Sequence, residues 1–210
     1  MPTKLFRPMG LNELALLWDH GMRAFPPRLV HQPIFYPVVS LEYARQISRD
    51  WNTPDKNSGF AGFVTQFGVS STYLSKFELH TAGSAAHREY WIPARELSAF
   101  NKKISGLISV EEAFFGAEFT GYVPQDHRLK GLHARDQFTS LSAIVDFTEF
   151  MSEVAANRKA VFLNCLFWLK SSLSDPDCSS EQRQLFITRL VKAWKLSKIE
   201  VPLPSHFKQE

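Results

Sequence analysis

The sequence has little of what marks several specialised protein classes. Two cysteines among 210 residues, Cys165 and Cys178, are too few for a disulfide framework and favour a reducing compartment. The longest apolar run, residues 160–169, is about half the length that a membrane helix needs, and Asn164 interrupts it. No secretory leader is recognisable at the N-terminus. A disulfide scaffold and a membrane span are therefore excluded, and a cytoplasmic protein is expected.

The signatures of common catalytic sites are also missing. The chain has no phosphate-binding glycine loop, no Gly-x-Ser-x-Gly, no Cys-x-x-Cys and no His-Glu-x-x-His. We therefore expect no metal. The charge is nearly balanced, with 24 basic and 21 acidic residues, and a net charge of +3 does not by itself indicate a nucleic-acid partner.

Aromatic residues are abundant instead. With 18 Phe, 5 Trp and 5 Tyr, and 44% hydrophobic residues, the chain can build a tight core and line a site for a planar ligand. Short strands alternate with helices up to about residue 124, whereas the rest shows only helical periodicity. The pattern predicts an α+β domain over residues 1–124 and a helical extension over residues 125–210 that packs on it.

Local signals predict where several helices begin. Ser40 stands at the N-cap of a helix whose residues Ala44, Ile47 and Trp51 share one apolar stripe. Ser179 begins the last long helix with a capping box to the glutamine three residues on. The helix around residues 160–169 is apolar nearly all round, which predicts a central position.

Three elements of the first half carry the functional hypothesis. The first is Arg7, on a short strand, and the second is the strand and helix of residues 35–44 (FYPVVSLEYA). The third is a Gly/Ser/Ala loop that leads into the strand of residues 87–93 (HREYWIP). Residues two apart on a strand point the same way, so His87, Glu89 and Trp91 are expected on one face.

In this order the three elements resemble those of the mono-ADP-ribosyltransferase superfamily. In that superfamily an early strand carries Arg or His, a later strand and helix carry Ser, Thr or Tyr, and a further strand carries the catalytic Glu. The resemblance covers about residues 3–115 and implies a split β-sheet core. The chain is also similar to uncharacterised bacterial proteins labelled ADP-ribosylation/crystallin J1.

The resemblance implies a role for each residue. Glu89 is the catalytic carboxylate, which holds the 2′-hydroxyl of the nicotinamide ribose, and Arg7 holds a phosphate or ribose of NAD. The ring of Tyr36 or Tyr43 lines the nicotinamide site, and Ser40 shapes the pocket. His87 stands where arginine-modifying members have Glu or Gln, which opens the acceptor to a nucleobase, a nucleic-acid end or another side chain.

The function implied is cleavage of NAD and transfer of ADP-ribose to a nucleic acid or a protein. A bacterial toxin or defence effector of this kind would have a neutralising antitoxin or immunity protein as a partner. Two alternatives stay open: a non-enzymatic module that binds nucleic acid or protein, and, with less support, an ADP-ribosyl hydrolase. In the non-enzymatic alternative, Glu89 is an ordinary edge-strand charge and Tyr36 and Tyr43 are core aromatics.

Overall fold

The predicted α+β class is confirmed. A computed structural model describes residues 2–84, 86–171 and 179–207, and the chain is 45% helical and 21% strand. It divides into two compact units, Met1–Ala117 and Glu118–Glu210. All strands of the described residues belong to the first unit.

The strands are short apart from three long ones that form the main sheet. They are β1 (Pro2–Gly10), β2 (Ile34–Phe35), β3 (Ala61–Ser70), β4 (Leu79–Thr81), β5 (Arg88–Tyr90), β6 (Ile92–Pro93) and β7 (Ile104–Phe115). The α-helices of the first unit are α1 (Leu11–Asp19), α2 (Leu41–Gln46), α3 (Ser71–Leu74) and α4 (Leu97–Asn101). Those of the second unit are α5 (Ala134–Ser142), α6 (Phe147–Ala156), α7 (Arg158–Ser171) and α8 (Ser180–Leu196).

Val38 joins the main sheet to the smaller strand pairs. In the main sheet β3 lies between β1 and β7, and both pairings are antiparallel. The backbone of Val38 exchanges two hydrogen bonds with Phe6 of β1, at 2.9 and 2.8 Å, and also bridges Glu89 of β5. The order across the first unit is therefore β7, β3, β1, the segment 34–39, β5 and β4. Pro37, which has no N–H to donate, interrupts the strand pairing within the segment 34–39.

Both faces of β3 are buried, against two different layers. On one face Phe67 packs edge-on against Phe25, with ring centroids 4.9 Å apart, and Phe25 packs in turn against Phe35 at 4.7 Å. On the other face Val64 packs with Phe6, Val38 and residues of α2. The sheet thus forms the middle layer of the unit.

The structure corrects the stripe predicted for the helix after Ser40. The N-cap is confirmed, because the Ser40 hydroxyl accepts a hydrogen bond from the Tyr43 N–H at 3.2 Å. However, α2 continues as a π-helical turn, Ile47–Asn52, whose wider turn shifts the phase of the side chains. Trp51 is consequently exposed rather than packed beside Ala44.

The second unit is built around α7, as its all-round apolar sequence predicted. Its side chains Val161, Leu163 and Leu166 are buried. The capping box at the start of α8 is also confirmed, with Ser179 and Gln182 each bonded to the other's backbone. Cys165 lies in α7, and burial raises the pKa of its thiol far above the ordinary value. Cys178 lies outside the described residues.

In the described part of the chain, no helix combines the length and the apolar character needed to cross a membrane.

The second unit contains a buried polar network around Asn164. Asn164 accepts a hydrogen bond from the Tyr122 N–H at 2.9 Å and donates to the Tyr122 carbonyl and to Gln137 Oε1, at 2.9 and 2.8 Å.

We predict that Asn164→Leu lowers the free energy of unfolding by about 2–4 kcal/mol, since the part-buried Tyr122 N–H and the buried amide oxygen of Gln137 lose their partner. Urea denaturation followed by circular dichroism measures the change. The exposed hydroxyl of Thr139 on α5 provides a control, and Thr139→Ala should cost less than about 0.5 kcal/mol. Equal losses in the two variants would contradict a structural role for the network.

Candidate functional site

The three sequence elements lie next to one another in the first unit. β1 carries Arg7, the segment 34–39 carries Tyr36 next to it, and β5 carries Glu89 next to that segment. The Phe6–Val38 and Val38–Glu89 pairs fix the register of all three. Residues that are more than 80 positions apart in sequence are thus brought within three strand spacings of each other.

Glu89 is an almost buried carboxylate with a donor on each oxygen. Its side chain lies among buried neighbours, and the residue is 9% exposed. The indole N–H of Trp91 donates to Oε1 at 2.8 Å, and the hydroxyl of Tyr43 donates to Oε2 at 3.4 Å. An ionised carboxylate can accept about four hydrogen bonds, so acceptor capacity remains for a ligand hydroxyl.

Aromatic rings surround this carboxylate. The ring of His87 stacks on Tyr43 with centroids 4.2 Å apart, and the ring of His80 stacks on Trp91 at the same distance. His80 is directly opposite Glu89 in the β4–β5 pair. Tyr36 meets Trp91 edge-on at 5.9 Å. We call Glu89 and these five aromatic residues the Glu89 cluster.

A cleft of about 430 Å³ adjoins the Glu89 cluster. His80 and Trp91 line it together with residues from the chain on either side of the hairpin: Lys76, Phe77, Glu78, Pro93, Arg95 and Glu96. Trp91 is 44% exposed although its N–H is bonded to Glu89, so one indole connects the carboxylate with a surface cleft. This volume suits a ring-containing small molecule or part of a larger one.

Arg7 belongs to a second group of charges. Its Nε and Nη2 donate to the two oxygens of Glu13, at 3.2 and 3.0 Å, and its Nη1 donates to the carbonyl oxygen of Tyr36 at 3.3 Å. Arg28 reaches the same carboxylate with Nη1 at 3.5 Å and donates from Nη2 to Gln32 at 2.9 Å. We call Arg7, Glu13 and Arg28 the arginine cluster.

The arginine cluster and the Glu89 cluster use opposite faces of the strands. Directly paired residues share a face, so Phe6, Val38 and Glu89 point one way, towards α2. Arg7 follows Phe6 and points the other way, with its guanidinium 5.2 Å from the ring of Phe35. Arg7 and Glu89, to which the resemblance gives roles on one bound NAD, therefore point to opposite faces of these segments.

The other predicted site residues are distributed as follows. Tyr36, Tyr43 and His87 are in the Glu89 cluster, and Tyr36 also contacts the arginine cluster through its carbonyl. Ser40 is engaged as a helix cap. Its hydroxyl therefore shapes the site by fixing the start of α2, the helix that carries Tyr43.

Sequence reasoning did not select Glu13, His80 or the site role of Trp91. Glu13 had a weak signal, as the one acidic residue in the first turn of α1. His80 had a stronger one: β4 and β5 form a hairpin, and the residue opposite Glu89 follows from its register.

The residues described include no group of three or more His, Cys, Asp or Glu that is placed to hold a metal ion. Comparison of the chain with models of protein families, with curated proteins and with solved structures gives no match.

The buried Tyr43–Glu89 pair predicts a pH dependence of stability. Burial raises the pKa of Tyr43 above its ordinary value of 10.0, and the charge of Glu89 raises it further. The folded state thus favours the neutral phenol, so stability is fully present below pH 10 and is lost as pH rises above it.

We therefore expect Tyr43→Phe to lose less free energy of unfolding than the parent chain between pH 9 and about 11. Urea unfolding at several pH values measures the two slopes. Tyr122→Phe, which removes a phenol in the second unit, controls for the loss of any tyrosine. Parallel curves for parent and Tyr43→Phe would show that the phenol is not perturbed.

Proposed function

We propose that the protein is an NAD-dependent ADP-ribosyltransferase in which Glu89 is the catalytic carboxylate. The observation that carries the proposal is the Glu89 cluster. It holds one almost buried carboxylate with a fixed orientation inside a set of aromatic rings. Cleavage of the bond between nicotinamide and ribose develops positive charge on the ribose, and a fixed carboxylate at low dielectric stabilises that charge.

Each member of the cluster has a role in this chemistry. Glu89 accepts a hydrogen bond from the 2′-hydroxyl of the nicotinamide ribose, which strengthens as the ribose becomes oxocarbenium-like. Tyr43 and Trp91 keep the carboxylate in place through their hydrogen bonds. The rings of Tyr36 and His87 provide faces against which the planar nicotinamide can pack.

The overall reaction breaks the bond from nicotinamide nitrogen to the anomeric carbon and releases neutral nicotinamide. A nucleophile of the acceptor forms the new bond to that carbon and loses its proton to solvent or to a nearby base. His80 and His87 belong to the Glu89 cluster, and an imidazole nitrogen of either can act as the general base that takes that proton. The acceptor is a macromolecule, either a nucleic acid or a protein.

The order of the strands supports this proposal. The three motifs that suggested the mono-ADP-ribosyltransferase superfamily lie side by side, joined by antiparallel bridges at Val38, with β3 and β7 beyond β1. A split sheet of the ADP-ribosyltransferase kind is therefore part of the proposal for the first unit. In this proposal Arg7 has a different role from the NAD contact that the resemblance implied. It supports the site from the opposite face, because its Nη1 holds the carbonyl of Tyr36.

A second candidate function is binding of nucleic acid without catalysis. The half-exposed indole of Trp91 favours it, because an accessible aromatic face stacks on a base, and Lys76 and Arg95 line the same cleft. This candidate requires no turnover of NAD. It predicts binding that weakens steeply with salt and that does not change when Glu89 is neutralised.

We predict that Glu89→Gln lowers the rate of nicotinamide release from NAD by about 100-fold or more, since the charge that stabilises the transition state is removed. Nicotinamide is quantified by chromatography after incubation with NAD and a cell lysate that supplies acceptors. Circular dichroism and thermal unfolding establish that the variant folds.

Glu42→Gln is the matched control, because Glu42 lies one residue before Tyr43 on α2 but points to solvent, where it pairs with Arg45. It should release nicotinamide at the parent rate. Intact NAD with the parent protein would contradict the enzyme proposal, and full activity in Glu89→Gln would remove Glu89 from the site.

A further inference from the structure

The arginine cluster contains more buried positive charge than the described residues neutralise. The side chains of Arg7 and Arg28 are 11% and 8% exposed, and both contact the single carboxylate of Glu13, which is 21% exposed. Two guanidiniums and one carboxylate leave one net positive charge in a desolvated place. Removing such a charge from water is costly unless an opposite charge accompanies it.

Arg28 is the member of the cluster with unused hydrogen-bonding capacity. Its Nε–H is buried and, among the described residues, has no hydrogen-bond acceptor. Its contact to Glu13 is the longest in the cluster, at 3.5 Å, whereas Arg7 holds the same carboxylate with two shorter bonds. Burial lowers the pKa of Arg28, and the charge of Arg7 lowers it further, against the opposing effect of Glu13.

The chain around Arg28 holds this side chain in place. Phe25 is anchored through its backbone, since its N–H donates to Asn101 and its carbonyl accepts from Asn101, at 3.0 and 2.9 Å. Pro26 and Pro27 then restrict the backbone up to Arg28. A restricted segment that ends in a buried cation with a spare donor is preorganised for a ligand, because little entropy remains to be lost on binding.

We infer that Arg7 and Arg28 form a binding site for an oxyanion, which is either a phosphoryl or a carboxylate group. This oxyanion accepts a hydrogen bond from the spare Nε–H of Arg28 and balances the excess positive charge. The planar guanidinium presents paired donors whose spacing matches two oxygens of such a group. A spherical halide matches one donor only. The site lies on the face opposite Glu89 and does not rest on the proposed enzymatic function.

The test measures the melting temperature of the full chain in buffers of equal ionic strength that contain chloride, acetate or inorganic phosphate. We expect at least one oxyanion, at tens of millimolar, to raise the melting temperature by roughly 3 °C over chloride. A shift with phosphate alone identifies a phosphoryl site, and an equal shift with acetate identifies a carboxylate site. Equal melting temperatures in all three buffers would overturn the inference.

Two variants separate a ligand site from a structural ion pair. Arg28→Gln should lose the oxyanion shift and, in chloride, should melt no lower than the parent, because the uncompensated charge has gone. Arg49→Gln, which removes an exposed arginine paired with Asp50, should keep the shift. An oxyanion shift that Arg28→Gln retains would show that the arginine cluster is not the site. Titration calorimetry with the same anions gives the affinity directly in all three proteins.

Discussion

The first unit depends on the backbone of Val38. Its two hydrogen bonds with Phe6 and its bridge to Glu89 attach a short, proline-interrupted segment between β1 and β5. The same segment is held to the hairpin that carries Glu89 by the Tyr90 N–H, which donates to the Pro37 carbonyl at 2.9 Å, and by the Val39 N–H, which donates to the Arg88 carbonyl at 3.1 Å. Because a shift of one residue would exchange the two faces of a strand, this pairing of β1, the segment and β5 makes Glu89 point towards α2 and Tyr43.

The same pairing separates two kinds of chemistry. The face towards α2 holds one carboxylate among phenol, indole and imidazole groups, and the opposite face holds two guanidiniums with one carboxylate. Tyr36 is common to both, since its ring meets Trp91 and its carbonyl accepts from Arg7. Tyr36 is therefore the one residue of the Glu89 cluster for which a contact with Arg7 is also described.

Local features could be predicted from the sequence, and the relation between distant segments could not. The cap at Ser40, the capping box of α8 and the shared face of Glu89 and Trp91 depend on residues a few positions apart. The face of the strands to which Arg7 points depends on pairings across three segments. The ion pair of Glu13 with Arg28 depends on a loop without periodicity. The prediction that Trp51 shares the apolar stripe of Ala44 was wrong because a π-helical turn changes the angular period within one helix.

The most direct measurement for the central claim is a crystal structure of the protein with a non-hydrolysable NAD analogue. We expect the 2′-hydroxyl of the nicotinamide ribose within about 3 Å of a Glu89 carboxylate oxygen, a normal hydrogen-bond distance. We also expect the nicotinamide ring to pack against Tyr36, Tyr43 or His87. An analogue that binds away from Glu89, or a saturated soak that leaves the Glu89 cluster unchanged and empty, would contradict the account.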